Sequence, residues 1–218
     1  MSLDIHVDYV APDTKYFKTK EEFDKAVSKD FVFHANQTLS KGKKFLVGLS
    51  HGQSPAGAYQ LIVQFFHKIK NKQNIYFTFV NSPLKTQENL EGVFTARMFL
   101  KKLVRDGIIT TEQVLGRNIK DAIDEDDAIE FNREIGDFLD KNNKTGFDYV
   151  FLATNSKGRI AGIEQHSKTF DSKNISAIVT INKEKELTTT PYFLMQSKRI
   201  AFLATKSEKR RPLAWLYS

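Results

Sequence analysis

Apolar residues occur along this chain in short runs that are almost unbroken by polar positions. The runs are rich in β-branched and aromatic side chains, which favour β-strands. They lie at 45–49, 75–80, 149–152, 177–181 and 200–203. Because strands covered on one face alternate apolar with polar residues, continuous runs indicate strands buried on both faces. The pattern predicts a mostly parallel sheet with helices on both faces.

Segments with helical spacing separate these runs. Thr19 and the glutamates after it form a capping box, which predicts the start of a helix. Pro55 suits the first turn of a second helix, apolar residues repeat at helical spacing over 96–103, and Asp124 precedes an acidic first turn. Strands alternating with helices imply right-handed crossovers and a doubly wound, Rossmann-like α/β sheet. The polar, threonine-rich segment 182–191 is expected to be a loop at the edge of this sheet.

The composition predicts a single domain over residues 1–218. A chain of 218 residues with 40% hydrophobic content can bury one sizeable core. It contains no cysteine, which excludes disulfides and thiolate metal sites. No apolar stretch approaches the roughly 20 residues needed to cross a bilayer, and the N-terminal residues lack the pattern of a signal peptide. We therefore expect a cytoplasmic protein without a membrane partner, a metal or a cofactor.

The net charge of +7 raises the question of acidic partners. A basic surface attracts nucleic acid, acidic membranes and phosphorylated metabolites alike, so charge alone does not select one. Nucleic-acid-binding proteins concentrate Lys and Arg in a stripe with interleaved aromatics, whereas the lysines here are spread along the chain. This distribution indicates a solvated surface and does not favour nucleic acid. The sequence leaves open whether the protein forms a homo-oligomer, because the apolar C-terminal run around Trp215 could pair as an edge strand with a second copy.

The most informative segment is a strand, loop and helix at 47–59. The strand ends in a small polar turn formed by Ser50, His51, Gly52, Gln53 and Ser54. Main-chain N–H groups and the positive end of the dipole converge at the start of the following helix, which suits a phosphate, and the glycine lets the backbone approach closely. Many α/β proteins use the same residue types merely to turn a strand into a helix. The pattern alone leaves both interpretations open.

Three stretches match parts of a known pattern. The run 48–55 is similar to a Gly-Leu-x-Thr-Gly-x-Thr/Ser-Pro loop, from which His51 and Gln53 depart. The segment 147–164 is similar to a strand followed by Gly-x-Gly-x-Asp-Gly-His-x-Ala-x-x-Glu, and its Gly158, Ala161 and Glu164 are in register. The segment 202–209 is similar to a strand followed by Gly-x-x-Lys, with Lys209 at the lysine. In this order the motifs resemble those of the glucosamine-6-phosphate isomerase and 6-phosphogluconolactonase family.

The resemblance implies a sugar-phosphate isomerase type of fold and a phosphorylated sugar, or a similar small anion, as ligand. Its phosphate would be held by the turn 50–54 and by Lys209. In the family's deaminating isomerases an aspartate after the second strand abstracts a proton, and a histidine, oriented by a glutamate, opens the sugar ring. The lactonases use the same histidine to activate water. In this chain Asn81 stands at the position of the proton-abstracting aspartate, Arg159 at that of the histidine and Glu164 at that of the glutamate. Lys157 replaces the aspartate of the Asp-Gly-His sequence.

These replacements remove the groups that exchange protons in the family. An amide has no basic site for this work, and an arginine stays protonated at any ordinary pH. Losing one positioned acid or base typically costs about 10²- to 10⁴-fold in rate. Only Glu164 is retained, and it is expected to pair with Arg159. The first hypothesis is therefore a sugar-phosphate-binding pseudoenzyme whose activity is lost or altered.

A second hypothesis is an active isomerase or lactonase with a rebuilt acid/base set. His51, His166 or a Lys157 amine that has lost its proton would then supply the chemistry. The simpler interpretations are that His51 is a turn residue in contact with solvent and that His166 and Lys157 lie in exposed loops. The sequence leaves these alternatives open.

Overall fold

The computed structural model describes residues 13–81, 94–116, 123–155, 158–164, 167–181 and 184–205. The helices are α1 (Lys20–Leu39), α2 (Ala56–Phe65), α3 (Ala96–Arg105), α4 (Glu125–Lys141) and α5 (Pro191–Met195). The strands are β1 (Phe45–Leu49), β2 (Ile75–Phe79), β3 (Tyr149–Ala153), β4 (Ser176–Ile181), β5 (Glu184–Thr189) and β6 (Ile200–Leu203). Short 3₁₀ turns lie at Phe66–Lys68, Lys72–Asn74, Thr111–Gln113 and Lys168–Asp171.

The main sheet has the order β2-β1-β3-β6, and each neighbouring pair is parallel. Strand β1 shows that both faces are covered. Leu46 lies in an apolar cluster with Phe131 of α4, whereas Val47 lies in a second cluster with Phe31 of α1 and Tyr59 of α2. Successive side chains of a strand point to opposite faces, so the continuous apolar run is explained by helices on each side. The predicted parallel α/β fold is confirmed.

The helices begin where the sequence predicts. The Thr19 hydroxyl accepts a hydrogen bond of 3.1 Å from the N–H of Glu22, at the start of α1. At α4 the caps are reciprocal, since Asp124 Oδ1 accepts from the N–H of Asp127 at 3.0 Å and Asp127 Oδ2 accepts from the N–H of Asp124 at 2.9 Å. Such caps satisfy main-chain donors that the first helical turn leaves free. Helix α2 begins directly after Pro55.

The chain between β3 and β6 differs from the prediction. Strand β4 does not join the parallel sheet but pairs antiparallel with β5, so the segment 182–191 contains a strand and the first residue of α5 rather than a loop. The polar composition of β5 suggests a loop, but Thr188 and Thr189 donate their hydroxyls to main-chain carbonyls instead of solvent. The N–H and the hydroxyl of Thr189 both donate to the carbonyl of Val80 at 2.7 Å. These bonds dock the hairpin on the end of β2.

A buried carboxylate, Asp148, ties three parts of the parallel sheet together. It lies immediately before β3, and its Oδ2 accepts from the N–H of Leu46 in β1 at 2.8 Å and from Lys144 Nζ at 2.7 Å. Its Oδ1 accepts from Lys198 Nζ, just before β6, at 2.7 Å. Hydrogen bonds to an ionised group are roughly twice as strong as neutral ones. Asp148 therefore helps to fix β3 between its two neighbours.

Candidate functional site

The predicted site residues follow the carboxyl ends of parallel strands. The turn 50–54 follows β1, Asn81 follows β2, and the loop 158–164 follows β3. Parallel strands bring their carboxyl ends to one edge of the sheet, which is where open α/β folds bind ligands. Lys157, His166 and Lys209 lie outside the described residues. The structure therefore places the turn, Asn81, Arg159 and Glu164 at this edge.

The turn after β1 is held in place by its own side chains. Ser50 Oγ accepts from the N–H of Ala153 at 3.2 Å, and the Tyr59 hydroxyl donates to the Ser50 carbonyl at 2.9 Å. The Ser54 hydroxyl lies 3.1 Å from that of Thr205, after β6. Both serines are buried. Their hydroxyls thus have structural partners, which fix the turn relative to β3 and to the end of β6.

The middle of the turn is more open to a ligand. Gly52 is half-buried with φ +113°, and Gln53 is exposed. A positive φ of this kind is easily adopted only by glycine. Helix α2 begins at Ala56, so the positive end of its dipole lies beside these residues. The main chain at 52–54 is therefore the part of the turn best suited to hold an anion, since Pro55 has no N–H and the N–H of Ala56 donates to the Gln53 carbonyl at 3.4 Å.

His51 is buried, and the expectation that its imidazole contacts solvent is wrong. The ring stacks on Phe79 with the ring centres 5.0 Å apart. Burial lowers the pKa of His51 to about 4, with the nearby charge of Arg97 acting in the same direction and a hydrogen bond with the Asn81 main chain opposing it. The imidazole is thus neutral near pH 7. Its buried Nε2 has no hydrogen-bond partner in the part of the chain that the structure describes.

Asn81 joins the end of β2 to the hairpin. It is buried and forms a β-bridge with Thr188 of β5. Its side-chain amide lies within hydrogen-bonding range of the Glu186 carboxyl, also on β5. At the position where the resemblance implies a proton-abstracting aspartate, the structure has a neutral amide facing a carboxyl group.

Arg159 and Glu164 form the expected ion pair, between Nη2 of the arginine and Oε1 of the glutamate. The loop that carries them is shaped by the Asn155 side chain, whose Oδ1 accepts from the N–H of Arg159 at 2.9 Å. Positive φ values occur at Ala161 and Gly162. Glu164 is 65% exposed, so water weakens this pair. Arg159 Nε is buried and makes no hydrogen bond with the described residues.

Glu186 is a site residue that the sequence analysis missed. Its side chain is buried, and burial raises its pKa to about 7, opposed by the Asn81 side chain and Arg159 and reinforced by Glu184. In the sequence it stands in a polar stretch, Glu184-Lys185-Glu186, where nothing distinguishes a buried carboxyl from an exposed one. Strand periodicity does not separate the two glutamates either, because residues two positions apart, such as Glu184 and Glu186, lie on the same face of a strand.

Within the ranges that the structure describes, no helix has the length and apolar character to span a membrane. The same ranges hold no cluster of three or more His, Asp or Glu side chains arranged to bind a metal ion.

Comparison with solved structures finds the same fold in sugar-phosphate enzymes. A 6-phosphogluconolactonase from Leishmania guyanensis is 18% identical with a TM-score of 0.72, over 94% of this chain and 86% of that one. The corresponding enzyme from Thermotoga maritima is 18% identical with a TM-score of 0.69, over 88% and 84%. A monomeric glucosamine-6-phosphate deaminase is 17% identical with a TM-score of 0.67, over 92% and 85%. At such identities the likeness shows the fold.

Sequence comparison with curated proteins gives no significant match. The model of the family described as glucosamine-6-phosphate isomerases/6-phosphogluconolactonase matches residues 18–217. This range includes the ends of the three strands that form the site and the hairpin. The chain therefore belongs to the glucosamine-6-phosphate isomerase/6-phosphogluconolactonase family.

Proposed function

We propose that the protein binds a phosphorylated sugar at the carboxyl edge of its parallel sheet and that the family's isomerase or lactonase activity is lost or altered. The observation that supports this proposal is an accessible turn at the start of a helix beside positions where the family's proton-transfer groups are replaced. Gly52 and Gln53 lie accessible beside the start of α2, whereas Asn81 and Arg159 occupy family positions of an acid/base set. The site keeps the means to hold an anion but not the family's means to move a proton.

Electrostatics supports an anionic ligand. The start of α2 contributes partial positive charge, and Arg159 adds a full one on the loop after β3. The guanidinium is only partly neutralised by Glu164, because that carboxylate is largely in water. Arginine offers several donors in a fixed planar arrangement, which suits phosphate and carboxylate oxygens. Ser50, His51, Gly52, Gln53, Ser54 and Lys209 remain the proposed phosphate-binding set, with the main chain of the turn as its centre.

Thermal-shift measurements test the binding. We expect 6-phosphogluconate, glucosamine 6-phosphate or glucose 6-phosphate to raise the melting temperature, whereas gluconate, glucosamine and glucose do not. Arg159→Gln should weaken binding of the stabilising compound about tenfold, as expected for loss of a charge-assisted hydrogen bond. Arg105→Gln is the matched control, since it removes the same charge from a side chain that is 75% exposed at the end of α3. No stabilisation by any of the phosphorylated sugars would refute the proposal.

Turnover assays test the proposed loss or alteration of the isomerase and lactonase activities. Glucosamine 6-phosphate deamination and 6-phosphogluconolactone hydrolysis should be at least about 10²-fold slower than in family members that keep the aspartate and the histidine. The same preparation must show the ligand-induced stabilisation, which excludes an unfolded sample. Rates equal to those of such members would mean that the acid/base set has been rebuilt, and the proposed loss would be wrong.

A further inference from the structure

The Glu186 carboxyl is enclosed at the candidate site by residues from separate parts of the fold. The residue is 1% exposed. A Cβ added at Gly162, in the loop after β3, would lie 2.6 Å from Glu186 Oε2, so the main chain of this loop packs directly on the carboxyl group. Gly162 also has φ +76°. The loop after β3 thus closes over a carboxyl group from the hairpin, and a residue without a side chain is required at the contact.

The charges that the described residues place around Glu186 do not neutralise it. Asn81 at the end of β2 presents a neutral amide, and Glu184 on β5 adds a negative charge. Arg159, a described residue of the loop after β3, acts on it as a cation, but the guanidinium is paired with Glu164. Neither Oε1 nor Oε2 makes a hydrogen bond of ordinary geometry with a described residue. Burial therefore dominates and favours the protonated carboxyl, because an ionised group loses its hydration there.

A purely structural role does not account for this arrangement. Buried carboxylates that stabilise a fold are held by several donors, as Asp148 is by three. Among the described residues Glu186 has no such set of donors, only the Asn81 amide within hydrogen-bonding range, and it lies beside two positions that carry acid/base residues in the family. A buried, poorly satisfied polar group next to a ligand site is expected to acquire its partner from the ligand.

We propose that Glu186 is the proton-exchanging residue of this site and that an anionic ligand drawn towards Arg159 binds together with a proton taken up by the Glu186 carboxylate. The inference rests on the proposed function. The ligand anion and the guanidinium attract each other, so the guanidinium then stabilises the carboxylate less, while the ligand adds a like charge nearby. Both effects favour the carboxylic acid, which can donate its proton to a ligand oxygen in a hydrogen bond.

The sign of the effect follows from the pKa of about 7 in the free protein. At a pH above this value Glu186 is mostly ionised, so binding must take a proton from the buffer. Well below it the carboxyl is already protonated, and no uptake by this residue occurs. Affinity should therefore be nearly constant on the acidic side and weaken by up to about tenfold per pH unit on the alkaline side.

Calorimetric titration with 6-phosphogluconate tests the coupling. Binding is measured near pH 7.5 in two buffers that differ in their protonation enthalpy, which gives the number of protons taken up. We expect the wild type to take up about half a proton to one proton more than Glu186→Gln, whose neutral side chain resembles the protonated state. Glu130→Gln is the matched control, because it removes an exposed carboxylate of α4 that does not act on Glu186, and it should behave as the wild type. Subtracting the variants cancels protons bound by the ligand itself.

The outcomes separate the two proposals. Binding with equal proton uptake in the wild type and Glu186→Gln would overturn the inference and leave the proposed function standing. No binding to any of the three proteins would overturn both. If Glu186→Gln fails to fold, the affinity of the wild type against pH decides, since a flat profile between about pH 7 and 8.5 excludes the coupling.

Discussion

Replacing Asp148 with alanine should destabilise the parallel sheet far more than the loss of an exposed carboxylate. The side chain of Asp148 is 1% exposed and that of its partner Lys144 is 6% exposed, whereas Lys198 is 65% exposed. Without the carboxylate, the Lys144 ammonium would remain buried without its counter-charge, and the N–H of Leu46 would lose its acceptor. These two losses, rather than the exposed pair with Lys198, determine the cost.

The magnitude follows from burial. Breaking a buried ion pair by removing one partner costs about 3–5 kcal/mol, and the unsatisfied main-chain donor accounts for part of it. For a domain of this size that corresponds to a fall in melting temperature of about 10 °C. Asp148→Asn keeps an oxygen for the N–H of Leu46 but loses the charge, so its loss should be intermediate.

Urea and thermal unfolding of the wild type, Asp148→Ala and Asp148→Asn measure these differences. Asp106→Ala is the matched control, since Asp106 also accepts from a lysine four residues away, Lys102 at 2.7 Å, but on the surface of the molecule. Exposed pairs of this kind contribute little because water screens them. If Asp148→Ala were no less stable than Asp106→Ala, the reasoning that β3 is fixed by a buried ionic cluster would be refuted.

Two further predictions concern residues that line the candidate site. Because burial lowers the pKa of His51 to about 4, the native state excludes a proton that the unfolded chain binds below about pH 6.5. The wild type should therefore lose up to about 3 kcal/mol relative to His51→Phe as the pH falls from about 6.5 to 4, and parallel urea-unfolding profiles would contradict this. Gly162→Ala should lower stability by about 1–2 kcal/mol more than Gly42→Ala. Both glycines have positive φ, but only at Gly162 would the new methyl group meet the Glu186 carboxylate, so equal losses in thermal unfolding would exclude that contact.

The parallel sheet could be predicted from the sequence because burial on both faces leaves a direct mark. Runs such as 45–49 and 149–152 are apolar at every position, and the helices between them carry caps that local sequence encodes. The Arg159–Glu164 pair was also predictable, since the two residues are five positions apart on one loop. In each case the physical cause lies within a few residues of the feature.

The hairpin and the burial of His51 could not be predicted, because their causes lie far away in sequence. The hydroxyl of Thr190 donates to the Asn174 carbonyl at 2.6 Å, so a segment that is polar in composition is not polar in its environment. The imidazole of His51 is enclosed by Phe79 and made neutral partly by Arg97 on α3, and no local pattern around residue 51 contains that information. Glu186 was missed for the same reason, since its burial depends on the main chain at Gly162.

The docking of the hairpin at Val80 makes the candidate site depend on chain closure over a long separation. Thr189 and Val80 are 109 residues apart. Closing so long a segment of chain costs conformational entropy, which the contact must offset. Local detachment of the hairpin would separate Glu186 from Asn81 while the strands of the parallel sheet stay paired. A bound ligand would oppose that detachment, so ligand binding would hold together two stretches of the polypeptide that are distant in sequence.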